Sequence, residues 1–336
     1  MTADQIHMST SATARPYDEL TPEMVLDAVE STGAIVDGRF LALNSYENRV
    51  YQVGIENGTP LVAKFYRPNR WSVEAILEEH RFSWDLANRE IPVVAPLADE
   101  QGETLHNFGG FQFAVFPRRG GRSPELDPPE NLRWLGRFLG RIHAVGAVEP
   151  FQHRPTLDSQ TFGVASYQFL LSGAFIPRDW QKPYRDVAEA VLEQINNIYA
   201  NLERVRLIRL HGDCHPGNIL WTDEGPHFVD LDDCRMGPAI QDLWMLLSGT
   251  QEEMGMQLGH ILDGYTEFFD FNWSERNLVE ALRTLRIMHY SAWLAKRWED
   301  PAFPKHFPWF GEPRYWESQI AILHEQSQRL DAPPLI

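Results

Sequence analysis

The chain has 336 residues, 43% apolar and 23% charged, a composition that fits a folded protein of one large or two ordinary domains and excludes a disordered chain. Thirty Lys and Arg against 47 Asp and Glu give a formal charge of −17, a surface that repels phosphate backbones and argues against a nucleic-acid partner. Two cysteines, Cys214 and Cys234, are too few for a disulfide framework and fit a reducing compartment.

The acidic surface would instead attract cationic small molecules or basic peptide segments. Met1–Arg15 lacks the apolar stretch of a secretory signal, and no run of about 18 apolar residues is long enough to span a membrane. A cytoplasmic protein with no membrane partner is therefore expected, taken as a monomer.

Residues 1–16 read as a disordered leader. Thr21-Pro22-Glu23 opens the first helix, with Thr as N-cap and Pro at the first helical position. From about residue 40 to 65 the pattern turns strand-like. Arg49–Val53 alternates, Asn57-Gly58 makes a turn, and Leu61–Tyr66 returns. Ser72 caps a second helix that runs to about Ala87. Another hairpin follows, with Phe111–Phe116 as its return strand. The Arg-, Gly- and Pro-rich stretch from Pro117 to Pro129 reads as a connection between two lobes. Beyond it the chain is mainly helical, apart from a strand, loop and hairpin over 207–231. Helices resume over 239–296 and near 315–330.

The chemistry concentrates in Leu210-His211-Gly212-Asp213-Cys214-His215-Pro216-Gly217-Asn218, followed by a hairpin that ends at Asp230. Asn218 precedes the first hairpin strand and Asp230 follows the second, so antiparallel pairing brings them side by side. Phosphoryl transfer needs a carboxylate to orient an attacking hydroxyl, and oxygen ligands to hold magnesium against a triphosphate. His211-x-Asp213-x4-Asn218 has the spacing of the kinase catalytic loop. A zinc set of His211, Cys214, His215 and Cys234 is a second reading, without regular ligand spacing.

Lys64 lies in an otherwise apolar strand and needs an anion if it is buried. Helical phase puts Glu79 on the inward face of the second helix and Glu78 on the solvated face, so Lys64 and Glu79 are expected to pair. The alternative is a Lys64 that snorkels from an edge strand. The turn Leu43–Asn48 offers the Ser45 hydroxyl and backbone N–H groups to phosphates, although it is not glycine-rich.

Over about residues 40–295 these motifs, in this order, resemble the aminoglycoside phosphotransferase and choline kinase superfamily. The stretches around Val62–Pro68, Leu210–Trp221, Phe228–Asp233 and Gln241–Leu247 are most similar to a bacterial cytosolic branch that phosphorylates protein Ser/Thr residues in stress responses. The resemblance implies an α+β, bilobal protein-kinase-like fold: a nucleotide-binding N-lobe (17–117), a hinge (118–129) and a catalytic, substrate-binding C-lobe (130–336). It implies ATP and Mg2+, with Asp213 as proton acceptor and Asn218 and Asp230 as metal ligands, Asp230 counting also as catalytic. Ser45, Lys64 and Glu79 would serve the nucleotide, adenine would lie near Val115–Arg118, and Asp242 would brace the catalytic loop. Protein Ser/Thr hydroxyls are the expected acceptors.

A small-molecule kinase of choline, amino-alcohol, aminoglycoside or homoserine type is the alternative. Tyr290, Trp293, Trp298, Trp309, Tyr315 and Trp316 would then form a cage for a cation, where ordinary packing is the plainer reading. A third possibility is an inactive ATP-binding scaffold. Cys214 and Cys234, flanking the proposed base and metal ligand, allow a redox switch or inert packing.

Overall fold

A computed structural model of the chain describes residues 16–202 and 205–334. The expected leader lies outside the described residues apart from Pro16. Helix α1 (Pro22–Glu30) starts where capping predicts, with the Thr21 hydroxyl accepting from the Met24 N–H at 3.2 Å.

Five strands follow: β1 (Val36–Leu43), β2 (Arg49–Ile55), β3 (Leu61–Phe65), β4 (His106–Phe108) and β5 (Phe111–Pro117). They form one antiparallel sheet in the order β1-β2-β3-β5-β4, with helix α2 (Val73–Ala87) inserted between β3 and β4. Asn57 takes a positive φ of 56° in the β2–β3 turn, as its Asn-Gly sequence suggests. Strand alternation sorts the two faces. Val53, Ala63, Phe65, Phe113 and Val115 pack against Val25, Ala28 and Val29 of α1, whereas Ala114 packs with Tyr66 and Ile76 on the other face.

Lys64 also belongs to that second face. It sits in the central strand, opposite Val50 on one side and Ala114 on the other, so no edge is available for it to snorkel from. Glu78 requires a correction. Helical phase assigned it to solvent, but it is 6% exposed and accepts hydrogen bonds from the backbone of Gln152, His153 and Arg154 at 2.6–3.0 Å. The loop carrying those residues packs on the face of α2 that the sequence left open.

The helical part comprises α3 (Pro129–Gly146), α4 (Ala165–Ser172), α5 (Arg178–Asn201), a short α6 (Ile240–Trp244), α7 (Gln251–Tyr265), α8 (Val279–Lys296), a short α9 (Ala302–His306) and α10 (Pro313–Leu330). Two ribbons interrupt it: β6 (Ile208–Leu210) with β9 (Arg235–Gly237), and β7 (Ile219–Thr222) with β8 (Gly225–Phe228). The sequence reading missed β9, a three-residue strand with no alternation to detect. It also started β1 late and ran α6 to α8 together. A turn at Gly249, with φ 92°, separates α6 from α7. Among the described residues no helix is long and apolar enough to cross a membrane.

Helices α3 and α7 approach so closely that glycine is required at the contact. A Cβ on Gly136 would stand 1.9 Å from the Ile261 carbonyl oxygen, and one on Gly264 would stand 2.0 Å from that of Arg133. Because both obstacles are backbone, the helices would have to separate. Gly136→Ala is expected to lower stability by about 1–3 kcal/mol, the usual range for overpacking. Urea unfolding would register this as a lower midpoint at constant m value, and an unchanged midpoint would contradict the close packing.

Candidate active site

Between the sheet and the helical part lies a cleft of about 1000 Å³. Ser45, Lys64, Glu79, Asp213, Asn218 and Asp230 all line it. Six residues chosen from the sequence for one chemistry thus share one cavity.

Lys64 is the most constrained of them. Its Nζ lies 3.1 Å from Glu79 Oε1, 3.1 Å from Asp232 Oδ1 and 3.4 Å from Asp230 Oδ1, with its side chain 8% exposed. Burial alone would drive the ammonium to shed its proton, but Asp232 and Glu79 overcome this and hold its pKa well above the usual lysine value. Arg154 takes the second Glu79 oxygen at 2.8 Å. Asp232 is buried too. Although burial works against its charge, Arg70 and Lys64 pull its pKa down to about 2, so it stays ionised.

The loop from His211 to Asn218 is built around Asp242, which is fully buried on α6. Its carboxylate accepts the backbone N–H groups of His211 at 2.8 Å and Gly212 at 2.9 Å, and His143 Nε2 lies 3.1 Å away. Burial opposes its charge, and the contacts with His143, His211 and the Gly212 N–H together outweigh it to keep its pKa below the ordinary aspartate range. Gly212 has a φ of 84°, and a Cβ there would meet the Asp233 carbonyl oxygen at 2.2 Å. Only glycine fits between His211 and Asp213. His211 Nε2 lies 2.9 Å from the Val229 carbonyl oxygen, which ties the loop to the hairpin end.

Asp213 Oδ1 accepts from Arg286 of α8 at 2.6 Å, and its Oδ2 lies 3.6 Å from His215 Nε2. Asn218 donates its amide N–H to the Asp213 carbonyl at 3.0 Å. That fixes the amide so that its oxygen is the free end, and among the described residues this oxygen accepts no hydrogen bond. Pairing of Ile219 with Phe228 places Asn218 across from Val229, whose N–H donates to the Asn218 carbonyl at 3.0 Å. Asp230 comes next, its side chain 55% exposed and its φ 61°. A non-glycine residue in that left-handed conformation stores about 1–3 kcal/mol of strain, which tends to persist where a side chain must be aimed.

Asn218 and Asp230 therefore present oxygen donors, the type magnesium requires. No group of three or more His, Cys, Asp or Glu among the described residues is arranged to hold a metal unaided. A divalent ion here would need nucleotide phosphates to complete its shell. The zinc set does not assemble either: His211 is engaged by Val229, and Cys214 and Cys234 are fully buried. Burial raises both thiol pKa values, that of Cys234 to about 12, which leaves them unreactive and favours the packing reading over a redox switch.

The turn carrying Ser45 is held to the helical part by its neighbours. Glu47 accepts from Trp293 Nε1 at 2.6 Å and from Arg297, and Asn48 donates to Asp232 at 3.1 Å. Ser45 itself makes no side-chain hydrogen bond among the described residues. Of the segment Val115–Arg118, Phe116 and Pro117 line the cleft, while the Val115 carbonyl accepts from the Leu97 N–H at 2.7 Å. The aromatic cage does not form as a unit. Tyr290 and Trp293 line the cleft, stacked at 5.7 Å, but Trp298 and Tyr315 pack beside the buried Phe310 and Trp316.

Sequence reasoning missed Arg154, Arg286, Asp232 and Arg70. Asp232 lies in a short helical turn, Leu231–Asp233, after the left-handed Asp230, where strand alternation gives no guide. The three arginines had no local signal, because their partners lie 75, 73 and 162 residues away.

The model of the phosphotransferase enzyme family matches residues 39–279. Stress response kinase A of Escherichia coli O157:H7 is 46% identical over 319 residues, covering 95% of this chain and 96% of that one. A serine/threonine protein kinase, RdoA, of Salmonella typhimurium is 44% identical over the same shares. Among solved structures, amicoumacin kinase in complex with AMP-PNP, Ca2+ and Ami superposes with a TM-score of 0.73 at 19% identity, over 95% of each chain. The microcompartment-associated aminopropanol kinase gives 0.65 at 15% identity, over 90% of this chain and 98% of that one. The fold is accordingly that of the aminoglycoside phosphotransferases and choline kinases, α+β with an antiparallel sheet followed by a mostly helical part. The chain belongs to the phosphotransferase enzyme family and is a kinase that transfers phosphate to an alcohol group.

Proposed function

We propose that this kinase is an ATP- and Mg2+-dependent protein serine/threonine kinase acting in a bacterial stress response. Residues 17–117 would form the nucleotide lobe, 118–129 the hinge and 130–336 the catalytic and acceptor lobe of a cytoplasmic monomer. The observation that carries the reading is the convergence of Lys64, Asp213, Asn218 and Asp230 on one cleft from four separate stretches of chain. The protein acceptor rests on the relative named as a serine/threonine protein kinase, at 44% identity.

In this reading each residue has a distinct task. Lys64, oriented by Glu79, binds the nucleotide phosphates, and Ser45 caps them from the turn above. Asn218 and Asp230 hold magnesium, which when bound neutralises charge on the phosphates. Asp213 has one oxygen fixed by Arg286, leaving the other to orient a hydroxyl and accept its proton. The hydroxyl oxygen then bonds to the γ-phosphorus as the bond to the ADP oxygen breaks.

A small-molecule acceptor is the second reading, favoured by the stacked Tyr290 and Trp293 in the cleft. Labelled ATP separates the two. Label on proteins of a cell extract supports the first, and label confined to choline-like, amino-alcohol or amino-sugar compounds supports the second.

Two variants test the mechanism. Asp213→Asn is expected to lower turnover by about 10²–10⁴-fold with an unchanged melting temperature. Near-full activity in that variant would overturn the role given to Asp213. Magnesium should strengthen binding of a non-hydrolysable ATP analogue to the wild type by about tenfold or more. In Asp230→Asn, titration calorimetry should find most of that enhancement gone, and an equal enhancement in both proteins would remove Asp230 from the metal site.

A further inference from the structure

Although the chain carries −17, the cleft does not share its sign. Seven Lys or Arg side chains line it against six Asp or Glu. Every one of those carboxylates faces a cation: Glu79, Asp230 and Asp232 face Lys64, Asp233 faces Arg70 and Arg235, Glu47 faces Arg297, and Asp213 faces Arg286. The cations are not all answered in return.

Two of them, Arg119 after β5 and Lys296 on α8, have no carboxylate partner among the described residues. The sheet-side wall holds Val62, Phe116 and the Lys64 cluster, which suit a nucleotide. The opposite wall is α8 and the residue after it, where Arg286, His289, Tyr290, Trp293, Lys296 and Arg297 reach the cleft. None of these is acidic. His289 is neutral at ordinary pH, since burial and the nearby Arg235 lower its pKa to about 3. Arg286 gives only one guanidinium nitrogen to Asp213 and is 41% exposed. Lys296 has no carboxylate partner among the described residues and rests over the Phe169 ring at 5.5 Å.

A half-exposed arginine beside a catalytic carboxylate adds little to stability, because solvent screens such a pair. An anion brought by the acceptor would give the remaining guanidinium nitrogens of Arg286 a partner. We propose that the acceptor is an acidic segment, a Ser or Thr flanked by Asp, Glu or a phosphorylated residue, held against α8 by Arg286 and Lys296. This rests on the protein-kinase reading above and deepens it. It also reverses the preference that the net charge suggests, because the acceptor meets the local wall after passing the global field.

The test uses two serine peptides of equal length and aromatic content, one flanked by Asp and Glu and the other by Lys and Arg. Wild-type protein with labelled ATP should favour the acidic peptide in kcat/KM by about fivefold to tenfold, the scale of one or two partly exposed ion pairs. Lys296→Glu should raise KM for the acidic peptide severalfold while KM for ATP holds, and added salt should erode the wild-type preference. Suppose extract proteins are labelled in an Asp213-dependent manner, yet the basic peptide is used at least as well as the acidic one, or neither is used. The acidic-acceptor inference then falls and the kinase reading stands. A Lys296→Glu variant that raises KM for ATP and leaves peptide selectivity intact would also overturn it, by assigning Lys296 to the nucleotide. No Asp213-dependent label on any protein or peptide would defeat the protein-kinase reading itself.

Discussion

One buried ammonium organises this molecule. Lys64 sits in the central strand of a sheet, where neither side offers an exit to water. Leaving it there unpaired would cost several kcal/mol, and burying even a paired charge is tolerated only with good geometry on every side. The chain answers with Glu79 from α2 and with Asp230 and Asp232 from the end of the β7–β8 hairpin. Because these carboxylates come from both halves of the structure, satisfying Lys64 also sets how the halves face each other. The cleft is the space left between them.

The catalytic loop shows the same logic with backbone in place of a side chain. Two consecutive N–H groups, of His211 and Gly212, would be unsatisfied in a buried turn, and Asp242 receives both. The arrangement demands glycine at 212, both for its φ and for the approach of the Asp233 carbonyl. Asp213 is then presented to the cleft by a turn with little freedom left. Asn218 closes the loop by donating to the Asp213 carbonyl, and this turns its own amide oxygen outward. Preorganisation here is a consequence of hydrogen-bond satisfaction.

Much of this was legible in the sequence because the decisive spacings are short. His211-x-Asp213-x4-Asn218 and the hairpin to Asp230 lie within 20 residues, so turn and strand geometry relate them directly. The Lys64–Glu79 pair was readable from the apolar context of β3 and the phase of α2. Glu78 marks where that method stops. Helical phase sorts residues into two faces, but cannot say that a distant loop will cover the second one. Arg154 and Arg286 were illegible for the same reason: each meets its carboxylate through tertiary packing across more than 70 residues. Net charge averages a surface and says nothing of one wall of one cleft.

The central claim is that Asn218 and Asp230 grip one divalent ion against phosphates that Lys64 also contacts. A crystal structure with Mn2+ and a non-hydrolysable ATP analogue tests it directly through the anomalous signal of manganese. The account predicts a manganese peak at about 2.1 Å from the Asn218 amide oxygen and an Asp230 oxygen, the spacing of a small hard cation, with the Lys64 ammonium on the phosphates. A nucleotide and metal seated away from those three side chains would contradict it.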